Sequence, residues 1–211
     1  LGRSCMLVEW CDGGDLGQWI VGSGVVERHR VACDLMLQLA SALVCIHSSN
    51  VLHRDLKPKN IFMEKSPTNQ ITLKVGDFGV SKETDLADTA LGTPLYLSPE
   101  MVRGLPYSQA SDIWALGCVM WEIVAGEPAF ARKSLRELMH AICKAEPGGC
   151  VSGAPELVVE LTKECLRKEA KERPTASMIV ERLRDNVKHN HKQMSRDQAI
   201  SLLQAKFGDT M

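Results

Sequence analysis

The order of apolar and polar positions gives the chain a few short strands early and helices afterwards. Residues 6–11, Met-Leu-Val-Glu-Trp-Cys, form a short apolar run closed by Asp12-Gly13-Gly14, which predicts a short buried strand. Val31, Leu35, Leu39, Leu43 and Ile46 recur every three or four residues and predict an amphipathic helix over about 27–47. Two short strands are expected at 61–63 and 72–75, split by the turn-rich Ser66-Pro67-Thr68-Asn69. Residues 76–107 carry Pro94, Pro99 and Pro106 and no sustained period, so they read as a long ordered loop, a kind of segment that is usually functional or disordered. Ser108 is placed to cap a helix running to about Ala125. Ile113, Trp114, Leu116, Val119, Trp121, Ile123 and Val124 leave that helix almost no polar face, which marks it as buried. Shorter helices are expected at 134–145, 155–167 and 175–185. This order fits one domain built around a buried helix.

Composition narrows the class. The chain has 211 residues, 45% hydrophobic and 24% charged, which excludes a disordered chain, a collagen-like repeat and a disulfide mini-protein. A net charge of −1 gives no global attraction to nucleic acid or an anionic membrane. No apolar run approaches the ~20 residues of a membrane span. The eight cysteines form no C-x-x-C pair and read as buried thiols in a reducing cytosol. Arg182, Arg184, Lys188, Lys192 and Arg196 against Asp185 make 182–196 locally basic, read as a solvated helix face or a docking tail.

The informative strings are His53-Arg54-Asp55-Leu56-Lys57-Pro58-Lys59-Asn60 and, 22 residues after Asp55, Asp77-Phe78-Gly79. Together they resemble the catalytic signatures of protein kinases. Phosphoryl transfer makes sense of the residue types, because its catalysis is mainly positioning and electrostatics. The resemblance implies ATP and Mg²⁺ as cofactors, with Asn60 and Asp77 as oxygen ligands of the metal. It implies Asp55 as the acceptor of the substrate hydroxyl proton and Lys57 as a positive charge beside the moving phosphate. His53 and Phe78 are implied as structural partners.

Gly92-Thr93-Pro94-Leu95-Tyr96-Leu97-Ser98-Pro99-Glu100 resembles the substrate-docking loop and A-P-E motif, with Ser98 in place of alanine. Asp112-Ile113-Trp114-Ala115-Leu116-Gly117 resembles the start of the central buried helix. Glu172-Arg173-Pro174-Thr175 resembles the late motif whose arginine pairs with the A-P-E glutamate. The implied consequences are a buried Glu100–Arg173 pair and Asp112 as an anchor for the catalytic loop, with a plain helix N-terminal acid as the other reading of Asp112. Lys57 and the docking-loop string resemble serine/threonine kinases rather than tyrosine kinases. Within them, Val8-Glu9-Trp10-Cys11-Asp12-Gly13-Gly14-Asp15-Leu16 and the 92–100 string resemble the NimA-related (Nek) kinases. That resemblance implies backbone contacts from Glu9 and Cys11 to adenine, Val8 as gatekeeper, Phe62 under the adenine ring, and Asp15 either at the ribose or capping a helix. It also implies activation through a phosphorylated Thr89, with Thr93 four residues on and Arg54 as the basic partner.

The fold expected is α+β, protein kinase-like, with a mainly helical C-terminal lobe. No G-x-G-x-x-G followed by a strand and V-A-I-K is present, so in this resemblance the chain starts at the hinge and the β-rich N-terminal lobe is absent. Residues 1–185 are then hinge plus C-terminal lobe, and 186–211 a tail, helical in part. The function implied is transfer of the ATP γ-phosphate to serine or threonine of protein substrates by a longer Nek-like kinase, the piece alone being inactive. Partners are protein substrates and ATP, with no nucleic acid and no membrane span. The location implied is cytoplasmic, with cytoskeletal association from the resemblance alone. A catalytically silent kinase-like binding module is the alternative; retention of Asp55, Lys57, Asn60 and Asp77 together favours the enzyme.

Overall fold

The helix that the sequence leaves without a polar face is the centre of the fold. The structure is a computed structural model and describes residues 9–65, 71–76 and 94–186. In chain order the elements are α1 (Leu16–Gly22), α2 (Val25–Ser48), β1 (Ile61–Lys65), β2 (Ile71–Val75), α3 (Pro99–Val102), α4 (Gln109–Ala125), α5 (Leu135–Lys144) and α6 (Glu156–Cys165). A further helix, α7, covers 176–186. Single 3-10 turns lie at Pro58–Asn60 and Ala170–Glu172.

From Ser111 to Trp121 every residue of α4 is buried. α2 and α6 pack on it, so that Leu35, Leu39 and Leu161, with Ile179 from α7, join Leu116, Val119 and Ile123 in one core. A second cluster forms where Trp114 stacks on Phe130, with ring centroids 5.4 Å apart. α4 is tied to α2 at its far end as well. The last carbonyls of a helix have no partner within it. Here Arg28 Nε donates to the carbonyl of Ile123 at 2.8 Å and His29 Nε2 to that of Val124 at 2.9 Å.

β1 and β2 form an antiparallel pair, with Ile61 opposite Val75 and Phe62 opposite Lys74. This small sheet lies against α2, where Gln38 accepts from the Leu73 amide and donates to the Ile71 carbonyl.

Three expectations need correction. The described part of the 6–11 run, residues 9–11, is not a strand, and Trp10 is 88% exposed. The pairing happens just after it: Gly13 and Met63 are linked by N–H to carbonyl, and Met63 to Gly14 in return. The 76–107 stretch is not all loop, because Ser98 and Pro99 start the single turn of α3; proline is pre-set for a first helical position. The thiols are not uniformly buried. Cys118 and Cys165 are, whereas Cys45 and Cys150 are exposed, since one faces out from α2 and the other sits in a connection. α1 is an addition; its seven residues are too few to show a period in the sequence. α2 is long and apolar enough by composition to cross a membrane, but Leu35, Met36, Leu39 and Leu43 of it are buried in this core.

Gly117 shows how closely α4 and α6 approach. A Cβ there would stand 2.8 Å from Cys165 Cβ and 3.0 Å from two Leu166 carbons. Overpacking of this kind costs about 1–3 kcal/mol and exceeds the ~1 kcal/mol that alanine gains over glycine in a helix. Gly117→Ala is therefore expected to lower stability by about 1–2 kcal/mol, read by urea denaturation. An unchanged or raised midpoint would show that α6 gives way freely.

Candidate active site

The loop between α2 and β1 brings three predicted residues together. Lys57 Nζ donates to both carboxylate oxygens of Asp55, at 2.9 and 2.7 Å. Asn60 closes the 3-10 turn that Pro58 begins, and its amide nitrogen donates to the Asp55 carbonyl at 2.8 Å and to its carboxylate at 2.9 Å. The Asn60 amide oxygen is thereby turned away from Asp55. The Asp55 and Lys57 side chains are about a third exposed, so a reactant from solvent can reach them.

His53 fixes the other side of the loop. Its Nδ1 accepts from the Asp55 amide at 3.3 Å and its Nε2 meets the Gly76 carbonyl at 3.0 Å. The acceptor role of Nδ1 requires the tautomer protonated on Nε2. His53 therefore joins the loop to the residue directly before Asp77. Asp77, Phe78, Thr89, Thr93 and Val8 lie outside the described residues.

Behind the loop, Asp112 is completely buried on the first turn of α4. One carboxylate oxygen accepts from His47 Nε2 at 2.9 Å and from the His53 amide at 3.0 Å. The other accepts from the Arg54 amide at 3.1 Å and from the Tyr107 hydroxyl. Burial pushes this carboxyl up, but the His47, Tyr107 and backbone bonds outweigh it and hold the group below its usual range. Arg54 has a left-handed φ of 68°, unusual for a residue with a side chain, and its bond to Asp112 holds that turn. The anchor reading of Asp112 thus has its geometry. His47 and Tyr107 were not singled out by the sequence: a histidine in a last helical turn and a tyrosine before a cap carry no signal that they converge.

Beyond the loop, Glu100 of α3 meets Arg173 in a two-bond pair, both at 2.8 Å. Arg173 uses all its N–H groups, giving the rest to the carbonyls of Arg167, Ala110 and Lys168. Its guanidinium also lies 5.0 Å from the Trp114 ring centroid. Ser111 donates to Glu100 at 2.7 Å and accepts from the Ser108 amide, so the start of α4 is fastened to the pair. Tyr96, before α3, donates to Glu122 of α4 at 2.7 Å.

The residues read as the nucleotide side are placed as follows. Phe62 lies on β1 with its ring against Gly76, where a Cβ would stand 2.8 Å from Phe62 Cε2. Asp15 caps α1, accepting from the Gln18 amide at 2.9 Å, which is the capping reading of that residue. Glu9 is exposed and its carboxylate meets Lys74 Nζ at 3.2 Å. Cys11 is half-buried, and burial followed by Glu9 pushes its thiol up.

Comparison with known proteins identifies the family. The protein kinase domain family matches residues 2–183. The serine/threonine-protein kinase Nek6 of Oryza sativa subsp. japonica is 36% identical over 184 residues, covering 84% of this chain and 33% of that protein. Human serine/threonine-protein kinase Nek5 is 34% identical over 186 residues, covering 86% of this chain and 26% of that protein. The chain therefore spans about a quarter to a third of the length of these curated relatives. Among solved structures, the Rad53 kinase domain with SCD2 and AMPPNP superposes with a TM-score of 0.64 at 24% identity, over 82% of this chain and 65% of that one. This likeness shows a protein kinase-like fold.

The Glu100–Arg173 pair sets a pH dependence. Burial raises the Glu100 carboxyl, but the bonds from Arg173 and Ser111 outweigh it and bring it down from the ordinary 4.5 to about 2. A carboxyl lowered on folding adds stability above its unfolded pKa and loses it as pH falls toward its folded one. Stability is expected to drop by roughly 3 kcal/mol from this group between about pH 5 and 2. Urea titrations at several pH values check this. In Glu100→Gln the acid-side drop should shrink by that amount, from a baseline already lowered because Arg173 is stranded. An identical acid-side drop in both proteins would contradict it.

Proposed function

We propose, because this chain belongs to the protein kinase domain family, that it supplies the catalytic loop and acceptor side of a Nek-like serine/threonine protein kinase. The observation that carries the reading is the Asp55–Lys57–Asn60 cluster, three groups of the kind phosphoryl transfer needs within hydrogen-bond distance of one another. Mg²⁺ fits the donors of this loop: the Asn60 amide nitrogen is committed to Asp55, so the oxygen is the end presented to a hard cation, and Asp77 adds a carboxylate in sequence directly after Gly76. Bound ATP with Mg²⁺ would supply the transferable phosphoryl group and neutralise its charge.

The chain's own residues do the rest. Asp55 accepts the proton of a serine or threonine hydroxyl and aligns its oxygen. Lys57, now on the Asp55 carboxylate, is placed to meet the phosphoryl charge as it moves toward that hydroxyl. Asn60 holds Asp55 from behind. Glu9 and Cys11, with no backbone hydrogen bond to other described residues, leave peptide groups for the adenine edge, and Phe62 closes the site beneath it. The Pro94–Ser98 segment, fixed through Tyr96 and α3, receives the acceptor peptide.

The test is turnover of a protein substrate by the full-length protein that carries this chain. Asp55→Asn keeps the side chain's size and one acceptor oxygen, turns the other into a donor so that part of the Lys57 and Asn60 contact is lost, and removes the proton acceptor. It should lower turnover at least ~10²-fold with ATP affinity nearly unchanged. Near-normal turnover would remove Asp55 from this role, and a wild-type protein without turnover would favour the silent binding module.

Thr89 is proposed as the activating phosphate acceptor on the family pattern, with Arg54 as its partner. A phosphate there adds about −1.5 to −2 charge and can order a loop through one to three charge-assisted bonds. Mass spectrometry of the active protein should find Thr89 phosphorylated, and Thr89→Ala should be poorly active. Full activity of that variant would exclude the switch.

A further inference from the structure

We propose that the groove along the outer side of α5 is a docking site for an acidic, Asp- and Glu-rich segment of the protein substrate. This deepens the kinase reading and rests on it. A cavity of about 680 Å³ opens there, lined by Arg132, Ser134, Arg136, Glu137 and His140. Arg132, Lys133, Arg136 and His140 are exposed. Some surface cations elsewhere meet carboxylates: Arg30 pairs with Glu27, Arg103 with Glu169, and Arg182 with Glu160 and Glu164. Arg132 donates to the neighbouring Ala131 carbonyl, and neither it nor Lys133 nor Arg136 has a carboxylate partner among the described residues. Glu137, the one acid in the lining, is not paired with them either. Three uncompensated cations in five positions thus stand on a chain whose net charge is −1.

The spacing suits an extended acidic chain. Arg136 and His140 are four residues apart on α5, about 6 Å along the axis, and alternate side chains of an extended segment repeat at about 6.6 Å. Arg132, Arg136 and His140 line the groove at successive positions of the chain, so a run of carboxylates can meet several of them where one phosphate cannot. The position suits a substrate. α5 packs on α3, and α3 follows directly on the Pro94–Ser98 segment proposed to receive the acceptor.

Fluorescence anisotropy with the 211-residue chain tests binding without catalysis. The probes are an Asp/Glu-rich peptide lacking serine and threonine, its Asn/Gln counterpart, and that counterpart carrying one phosphoserine. The acidic peptide should bind at least about tenfold tighter than its amide counterpart, and more weakly at roughly 200 mM than at 50 mM salt. Arg132→Glu with Arg136→Glu should remove the preference, with an unchanged thermal melt as the control for folding. In the full-length protein the same double reversal should raise KM for a substrate bearing an acidic segment and leave kcat alone. Equal binding of acidic and amide peptides, a preference that survives the reversal, or stronger binding of the phosphoserine peptide would each overturn the proposal. The two readings separate cleanly: a charge-dependent peptide preference in a protein that never turns over ATP keeps the docking site and removes the kinase, and turnover without the preference does the reverse.

Discussion

Asp112 carries a charge that the fold has taken out of water, and donors from three parts of the chain replace that water. Removing a carboxylate from solvent costs several kcal/mol, so the ionised group persists only where its oxygens are filled. The end of α2 provides His47, the loop after it provides the His53 and Arg54 amides, and the residue before the α4 cap provides Tyr107. Because these donors must meet at one carboxylate, the loop is held in the turn that presents Asp55. The geometry of the proposed catalytic loop is in this sense set from behind, by a buried carboxylate on α4.

The neighbouring residue extends the constraint to the other half of the site. Ser111 bonds Glu100, and Glu100 bonds Arg173. Two consecutive residues on the first turn of α4 therefore lead, one to the loop that holds Asp55 and the other to α3, behind the segment proposed to receive the acceptor. Both connections are buried and charged, so each loses much when one partner is removed. α4 in turn is kept in place by apolar burial along its length and by Arg28 and His29 at its last carbonyls.

Much of this was legible in the sequence where a local pattern carried it. The unbroken apolar run of α4 announced a buried helix, the period of α2 announced its packing face, and the Asp55-x-Lys57-x-x-Asn60 string placed three site residues on one loop. Glu100, Asp112 and Arg173 could be named from motif likeness. What stayed hidden depends on chain segments far apart in sequence. Nothing local says that His47 and Tyr107 meet at Asp112, or that Arg28 reaches a carbonyl 95 residues away. The strand expected at 6–11 fails in its described part for a similar reason: apolar content invites a strand, but backbone partners decide one, and here they begin at Gly13.

The span between Glu100 and Arg173 bears on how the molecule is made. These residues stand 73 positions apart, and the chain leaves the ribosome from its N-terminus. α2, the catalytic loop and β1–β2 are complete in sequence long before Arg173 is synthesised. Until then Glu100 has no guanidinium to enter the interior with, and α3 is held to α4 by Ser111 and Tyr96 alone among the polar contacts described. The loop that holds Asp55 can therefore mature early in biosynthesis, while the Glu100 side of the candidate site waits for nearly the whole described chain. A nascent chain stalled before residue 173 would carry a formed Asp55 loop beside an unfinished Glu100 region, a state with exposed apolar surface that a chaperone would recognise.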